Sequence, residues 1–274
     1  MTEAQAVPGI LALGLLFTLV ANEFDFSGGA VISGASVAFA LLTGQHGVNW
    51  AVAGMIVLVG ALVIGLINGM LVGILHYNSF VATLAVGGIV AGVTVANSHG
   101  ATLNEGIPRT VIRLGDRFHG IPLLDVSLLG VFVVVAFILR ATVWGRHHDA
   151  IGKGREAAVL AGVRVRRHIV VAFMASAFLA GLAGLVLVAY LGSAPPNVGQ
   201  SYTLSAFAAA FLGSTMLRPG FFNAEGTLVA IMLIAVGVNG LSLAGADSAI
   251  GQIFTGVVLL ASVGLTRLEQ LSRR

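Results

Sequence analysis

Residues 145–168 read GRHHDAIGKGREAAVLAGVRVRRH, the longest strongly charged stretch in a chain of 274 residues. The rest is almost all apolar: 57% of residues are hydrophobic, 9% are charged, and the mean hydropathy is +1.00. Soluble domains carry about 25% charged residues, so the composition defines an integral membrane protein. The apolar runs are continuous rather than alternating, which predicts helices and not a barrel. The charged stretch is therefore read as a cytoplasmic loop, with apolar runs on both sides long enough to cross a bilayer.

Working outward, nine apolar segments can be drawn, at about 7–22, 28–43, 51–75, 79–97, 123–143, 169–191, 203–217, 226–245 and 249–266. Each is judged against the roughly 20 residues needed to span the hydrocarbon. The second and seventh are short and rich in Gly, Ser or Ala, which predicts broken or re-entrant helices. The expected fold class is thus an all-α polytopic membrane protein with about nine transmembrane segments, some short or broken. It forms a single transmembrane domain over residues 1–274.

Charge sets the orientation. The net charge is +3, and seven of the fourteen Lys and Arg lie between Arg140 and Arg167. In a soluble protein such a balance points to nucleic acid; here it is a positive-inside signal, and no nucleic-acid partner is expected. The loop and the tail Arg267–Arg274 face the cytoplasm, and the four spans between them agree in parity. Counting backwards places Arg218 and 22–27 inside, and 98–122 and the N-terminus outside. An external start without a leading signal predicts one further span before residue 1. Asn68-Gly69 and Asn239-Gly240 fall in the third and eighth segments; pairing segments one to four with six to nine gives an inverted repeat. Coincidence in a glycine-rich chain is the other reading.

Within the loop, Arg155–Val163 (REAAVLAGV) has helix-favouring residues and a terminal Gly162 suited to a C-cap. Ala157, Ala158 and Ala161 would let a partner approach closely, while Glu156 and the cluster Arg164, Arg166 and Arg167 would supply polar contacts. The alternative is a plain positive-inside loop with a frayed helix. Asp25 is the acid nearest the membrane. With Ser27 it either caps the second helix and shapes a gate or is an ordinary interfacial cap, and Glu23 beside it reads as solvated. Asn68, Asn78, Thr83, Asn239 and Gln252 sit in or at the ends of apolar helices, as packing glue or as the polar lining of a path. Gly65, Gly69 and Gly73 recur four apart on one helix face, a close-packing pattern.

No catalytic chemistry is visible. Lys153 is the only lysine and lacks the Gly-rich phosphate loop before it, so ATP binding by that route is not expected; nor is there an HExxH, an EF-hand loop or a GxSxG elbow. There are no cysteines. His147 and His148 are adjacent and point to different sides of a helix, which reads as a surface pair and not a metal site.

Gly154–Gly184, GREAAVLAGVRVRRHIVVAFMASAFLAGLAG, resembles the cytoplasmic loop and following helix of ribose-type ABC transporter permeases. Leu191–Thr215, Gly226-Thr227, Asn239–Leu243, and Gln252 with Gly256 are similar to later parts of that family, in order. Phe24–Gly29 (FDFSGG) resembles its Gly-Ile-Asp-Leu-Ser-Val-Gly signature, and Ser79–Leu84 (SFVATL) its Pro-Phe-Ile-Val-Thr-Leu stretch. Thr203 and Ser205 depart from it, standing where the family usually has acids. The resemblance implies a non-enzymatic transport subunit of a bacterial importer in the inner membrane, for ribose or a related sugar. It implies no cofactor in this chain, with ATP bound by a partner ATPase. It also implies a periplasmic sugar-binding protein and a second permease copy, identical or different. The docking helix would use Arg155, Glu156, Ala157, Ala158, Ala161, Gly162 and Val163; the path or gate would use Asp25, Ser27, Asn68, Phe80, Thr83, Asn239 and Gln252. Rival readings are a branched-chain amino acid or nucleoside permease, an ion-coupled secondary transporter, and a membrane scaffold or enzyme. The last two call for ionisable residues clustered at mid-membrane, whereas Asp25, Arg140 and Asp247 lie near segment ends.

Overall fold

The glycine face at Gly65, Gly69 and Gly73 locates the closest helix pair. Added side-chain carbons at Gly65 and Gly69 would meet the backbone of Phe173–Met174 and Val170 at 2.6–2.7 Å, so α3 (Trp50–Gly73) lies backbone to backbone on α9 (Val165–Leu191). Higher numbers in α3 meet lower numbers in α9, so the two run antiparallel. Small residues permit this approach, and dispersion between the backbones then holds the pair in lipid.

The structure is a computed structural model. It describes residues 5–115, 117–118 and 121–272, and the side chains of these apart from 117–118, 121–122, 248 and 266–272. Asp116, Arg273 and Arg274, and the side chains of Arg117 and Arg267, lie outside the described residues. Each of the nine apolar segments is a helix: α1 (Ala6–Leu19), α2 (Gly28–Ala40), α3, α4 (Ser79–Ser98), α6 (Leu123–Ala141), α9, α10 (Gly199–Met216), α11 (Ala224–Leu243) and α12 (Ser248–Ser272). Between α4 and α6 lies the short α5 (Arg109–Leu114). Among the described residues, six helical stretches are long and apolar enough to cross a membrane: 28–45, α3, α4, α6, α9 and α11. The second segment continues through a π-helical turn, Leu41–Gln45. The seventh segment departs from expectation, because α10 is an unbroken helix. It is less apolar than its neighbours because Ala206, Ala208, Ala209 and Ala210 pack it inside the bundle, away from lipid.

α1 is apolar all round and buried along its whole length among α6, α9, α10 and α11, as a helix must be if no face is polar. The same neighbour relations recur in both halves: α2 packs on α9 and α4, and α10 packs on α1 and α12. That exchange is what pairing α1–α4 with α9–α12 demands, and α1 runs antiparallel to α9, with Gly14 against Ser176–Leu179 and Phe17 near the start of α9. The two Asn-Gly pairs that suggested the repeat are not equivalent, since Asn68-Gly69 is packed while Gly240 faces open space.

The charged stretch holds two helices rather than one. α7 (Val143–Lys153) precedes the expected α8 (Arg155–Leu160). Thr142 caps α7 by accepting from the Gly145 N–H at 3.1 Å. Trp144, His148 and Ile151 form its inner face, while Asp149 and Lys153 pair on the outer one at 2.7 Å. Gly162, at φ +82°, closes the turn after α8 in the left-handed conformation that glycine adopts without strain.

Replacing Gly65 with Leu should force α3 away from α9 and cost about 1–3 kcal/mol. The expected result is a lower unfolding midpoint in detergent, whereas Gly88→Leu on α4, where nothing lies within 4 Å, should leave the midpoint unchanged.

Candidate functional site

Between α1 and α2 the chain is not helical over 20–27, yet it lies inside the bundle beside Ser176, near the middle of α9. Irregular backbone at membrane depth is tolerated only when protein satisfies it, and here side chains do so. The Phe24 N–H donates to Ser79 Oγ at 3.1 Å and the Phe26 N–H to Thr83 Oγ1 at 3.0 Å, both acceptors being on α4. Asp25 closes the connection. Its Oδ1 accepts from the Ser27 N–H (3.0 Å) and Ser27 Oγ (2.6 Å), and its Oδ2 accepts from Ser176 Oγ at 2.7 Å. Asn68 of α3 donates to Ser27 Oγ at 2.9 Å. Asp25, Ser27, Asn68, Thr83 and Ser176 are all fully buried.

Asp25 is thus more than an interfacial cap. It joins the connection to α9, while Asn68 joins the same serine to α3. Ser27 is the N-cap of α2 by position, but its side chain caps no helix N–H. Asn68 and Thr83 are closed off from solvent: Asn68 Nδ2 donates to the connection, and Thr83 Oγ1 accepts from it while donating to the Ser79 carbonyl of its own helix at 2.7 Å. Phe80, 46% exposed, belongs to an aromatic run over the same segment: it meets Phe26 edge-on at 4.8 Å, and Phe26 stacks on Phe207 at 4.6 Å. Asn239 and Gln252 lie instead on α11 and α12, outside this cluster. Ser79, Ser176 and Phe207 were missed in the sequence; a serine in an apolar helix is a weak signal until its partner is known.

Glu23, expected to be solvated, is buried and pairs with Arg155 at the start of α8. Asn22 donates to the Gly152 carbonyl at 2.7 Å, at the end of α7. The connection is therefore tied both to the core and to the two helices of the charged stretch. On α8, Glu156 and Ala157 are exposed, as are Ala161 and Gly162 beyond it, and Val163 is half-buried. Ala158 departs from its expected place at a partner contact: it is 3% exposed and packs with Ala21 and Ile151. A six-residue helix turns one flank inward, and that flank carries Ala158. The outward tip is Leu160, 89% exposed, a residue that the sequence analysis did not single out.

His148 is likewise no surface residue. It is fully buried, hydrogen-bonded through Nε2 to the Phe17 carbonyl at the end of α1, and stacked on Trp144 at 4.4 Å. Burial, which disfavours the charged ring, pushes its pKa down to about 4, against the upward pull of the Phe17 carbonyl; His168 lowers it and Asp149 raises it. Among the described residues no group of three or more His, Cys, Asp or Glu could hold a metal ion.

Comparison with known proteins defines the class. Residues 5–263 match the family described as "Branched-chain amino acid transport system / permease component". The chain belongs to that family of ABC transporter permeases, and within it to the ribose-type members. It is 34% identical over 266 residues to the ribose import permease protein RbsC of Bacillus subtilis (strain 168), covering 96% of this chain and 82% of the relative. It is 31% identical over 273 residues to RbsC of Escherichia coli (strain K12), covering 98% and 84%. The L-arabinose ABC transporter permease protein AraH of Azospirillum brasilense is 30% identical over 267 residues, covering 97% and 78%. No solved structure matches. The chain is a multi-pass permease subunit of the bacterial inner membrane.

Two outcomes follow. Asp25→Leu strands the Ser27 N–H and two serine hydroxyls, at about 1–3 kcal/mol for each buried group. It should therefore abolish a monodisperse folded fraction, whereas Asp25→Asn, which still accepts from Ser27, should retain one. Because His148 is held neutral, its contribution to stability is complete above pH 6.5 and shrinks as pH falls toward 4, by about 3 kcal/mol in all. Midpoints measured in detergent between pH 7.5 and 4.5 should fall with pH in the parent chain and fall less steeply in His148→Gln.

Proposed function

We propose that this chain is the membrane-spanning subunit of a bacterial ABC importer for a monosaccharide, ribose or a related sugar. The observation that carries the reading is identity of 30% or more, over nearly the whole chain, to permeases named for ribose and L-arabinose. Positive-inside charge assigns the α7–α8 end to the cytoplasm. There a separate ATPase subunit binds ATP and docks on α8, and a periplasmic binding protein delivers sugar at the other end. Two permease copies, identical or different, line the path. This chain itself carries no cofactor.

Transport then works by alternating access, with the connection 20–27 as the element that has two arrangements. Closure of the ATPases moves α8. The Arg155–Glu23 pair and the Asn22–Gly152 hydrogen bond transmit that movement two to three residues along the chain to Asp25, and so to α3 and α9 through Asn68 and Ser176. A cavity of about 510 Å³ lies against this connection, with Asn22, Asn78, Phe24, Phe26 and Phe80 in its wall. Amides match sugar hydroxyls and ring faces match sugar C–H surfaces, which suits it to the inner part of a sugar path. The matched family's description favours one second reading, a branched-chain amino acid substrate.

The test combines ATPase co-purification with uptake of labelled ribose and labelled leucine into proteoliposomes. Glu156→Arg with Leu160→Asp should lose the ATPase while remaining inserted. Arg155→Glu should lose most uptake, and adding Glu23→Arg should restore it by reversing the pair. Full ATPase recovery with the first variant refutes docking on α8, and uptake of leucine but not ribose replaces the sugar reading with the amino acid one.

A further inference from the structure

A second cavity, of about 560 Å³, opens at the same end of the bundle between α6, α7 and the start of α11. Four cations line it: Arg140 from α6, Arg146 and Lys153 from α7, and Arg218 from the α10–α11 turn. Two carboxylates oppose them, Asp149 paired with Lys153 at 2.7 Å and Glu225 paired with Arg140 at 2.9 Å. Four positive charges against two negative leave +2, and among the described residues neither Arg146 nor Arg218 has an acidic partner. The other wall is apolar, formed by Ala136, Leu139 and Phe222. That wall continues into the outer face of α6, where Val133, Val134 and Phe137 are 56–63% exposed. Nothing in the proposed transport cycle uses this cleft.

We infer that the cleft holds the headgroup of an anionic phospholipid, with its phosphate at Arg146 and Arg218 and its acyl chains against the apolar wall. A guanidinium fork matches phosphate oxygens in bidentate geometry, and a basic pocket between spans at the membrane surface recognises anionic headgroups. A free phosphate would satisfy the arginines but leave the apolar wall without an occupant, and the wall runs directly into the lipid-facing surface of α6. The proposal depends on the membrane spans alone and stands or falls separately from the transport reading.

The experiment is native mass spectrometry of the full chain from mixed micelles containing phosphatidylglycerol or phosphatidylcholine, with unfolding midpoints measured in parallel. The chain should retain phosphatidylglycerol in preference to phosphatidylcholine and be heat-stabilised by it. Arg146→Gln with Arg218→Gln should weaken retention by about fivefold for each arginine. Both side chains are exposed, and the Arg146→Lys, Arg218→Lys pair, which keeps the charges, serves as the folding control and should retain more lipid than the glutamine pair. Equal retention of the two lipids, or undiminished retention by the glutamine pair, overturns the proposal. Inorganic phosphate that displaces the lipid and stabilises equally well makes this a free-anion site and also overturns it. So does a glutamine pair that keeps its lipid but no longer co-purifies an ATPase, which would make the cleft a protein-docking surface.

Discussion

Backbone polar groups inside a bilayer must be satisfied within the protein, and the connection 20–27 is where this molecule meets that requirement without a helix. Every device around it serves that end. Ser79 and Thr83 receive the N–H groups of Phe24 and Phe26, and Asp25 receives that of Ser27. A carboxylate buried this deeply is expensive unless donors surround it, and Ser27 and Ser176 provide three hydrogen bonds. The result is a non-helical segment held by groups from α3, α4 and α9 together, so it can change only if those helices shift relative to one another.

In the transport cycle proposed above, the same requirement would suit the segment to coupling. A straight helix running from α8 into the bundle would transmit force but offer no second arrangement. A short connection held by hydrogen bonds of about 1 kcal/mol net each can exchange one set for another at a cost within reach of nucleotide-driven movement. Its outer end is bound to the charged stretch by one ion pair and one amide hydrogen bond, both close to solvent, while its inner end is enclosed. The two ends lie close together, Asn22 and Glu23 being only three and two residues from Asp25.

Much of the architecture was legible because a membrane simplifies the code. Nine apolar runs became nine helices, and the four-residue spacing of Gly65, Gly69 and Gly73 became the α3–α9 contact. What was not legible had specific causes. α10 looked broken because alanine and serine lower its hydropathy, but its Ala206–Ala210 stretch is packed in the core. α7 was overlooked because its charge outweighed the Trp144, His148, Ile151 spacing that marks a helix inner face. Ala158 left its expected place because the inward flank of a short helix depends on what lies beneath it, here Ala21 and Ile151.

By itself, then, the sequence determined the number of apolar helices, their closest packing face and that this is an integral membrane protein. These follow from local composition and periodicity, since a helix in lipid closes its own backbone hydrogen bonds. Only the tertiary structure decided what each polar residue does. Asp25 and Ser176 are 151 positions apart, Glu23 and Arg155 132, and His148 and Phe17 131. A buried polar group draws its meaning from its partner, and folding alone brings such distant partners together.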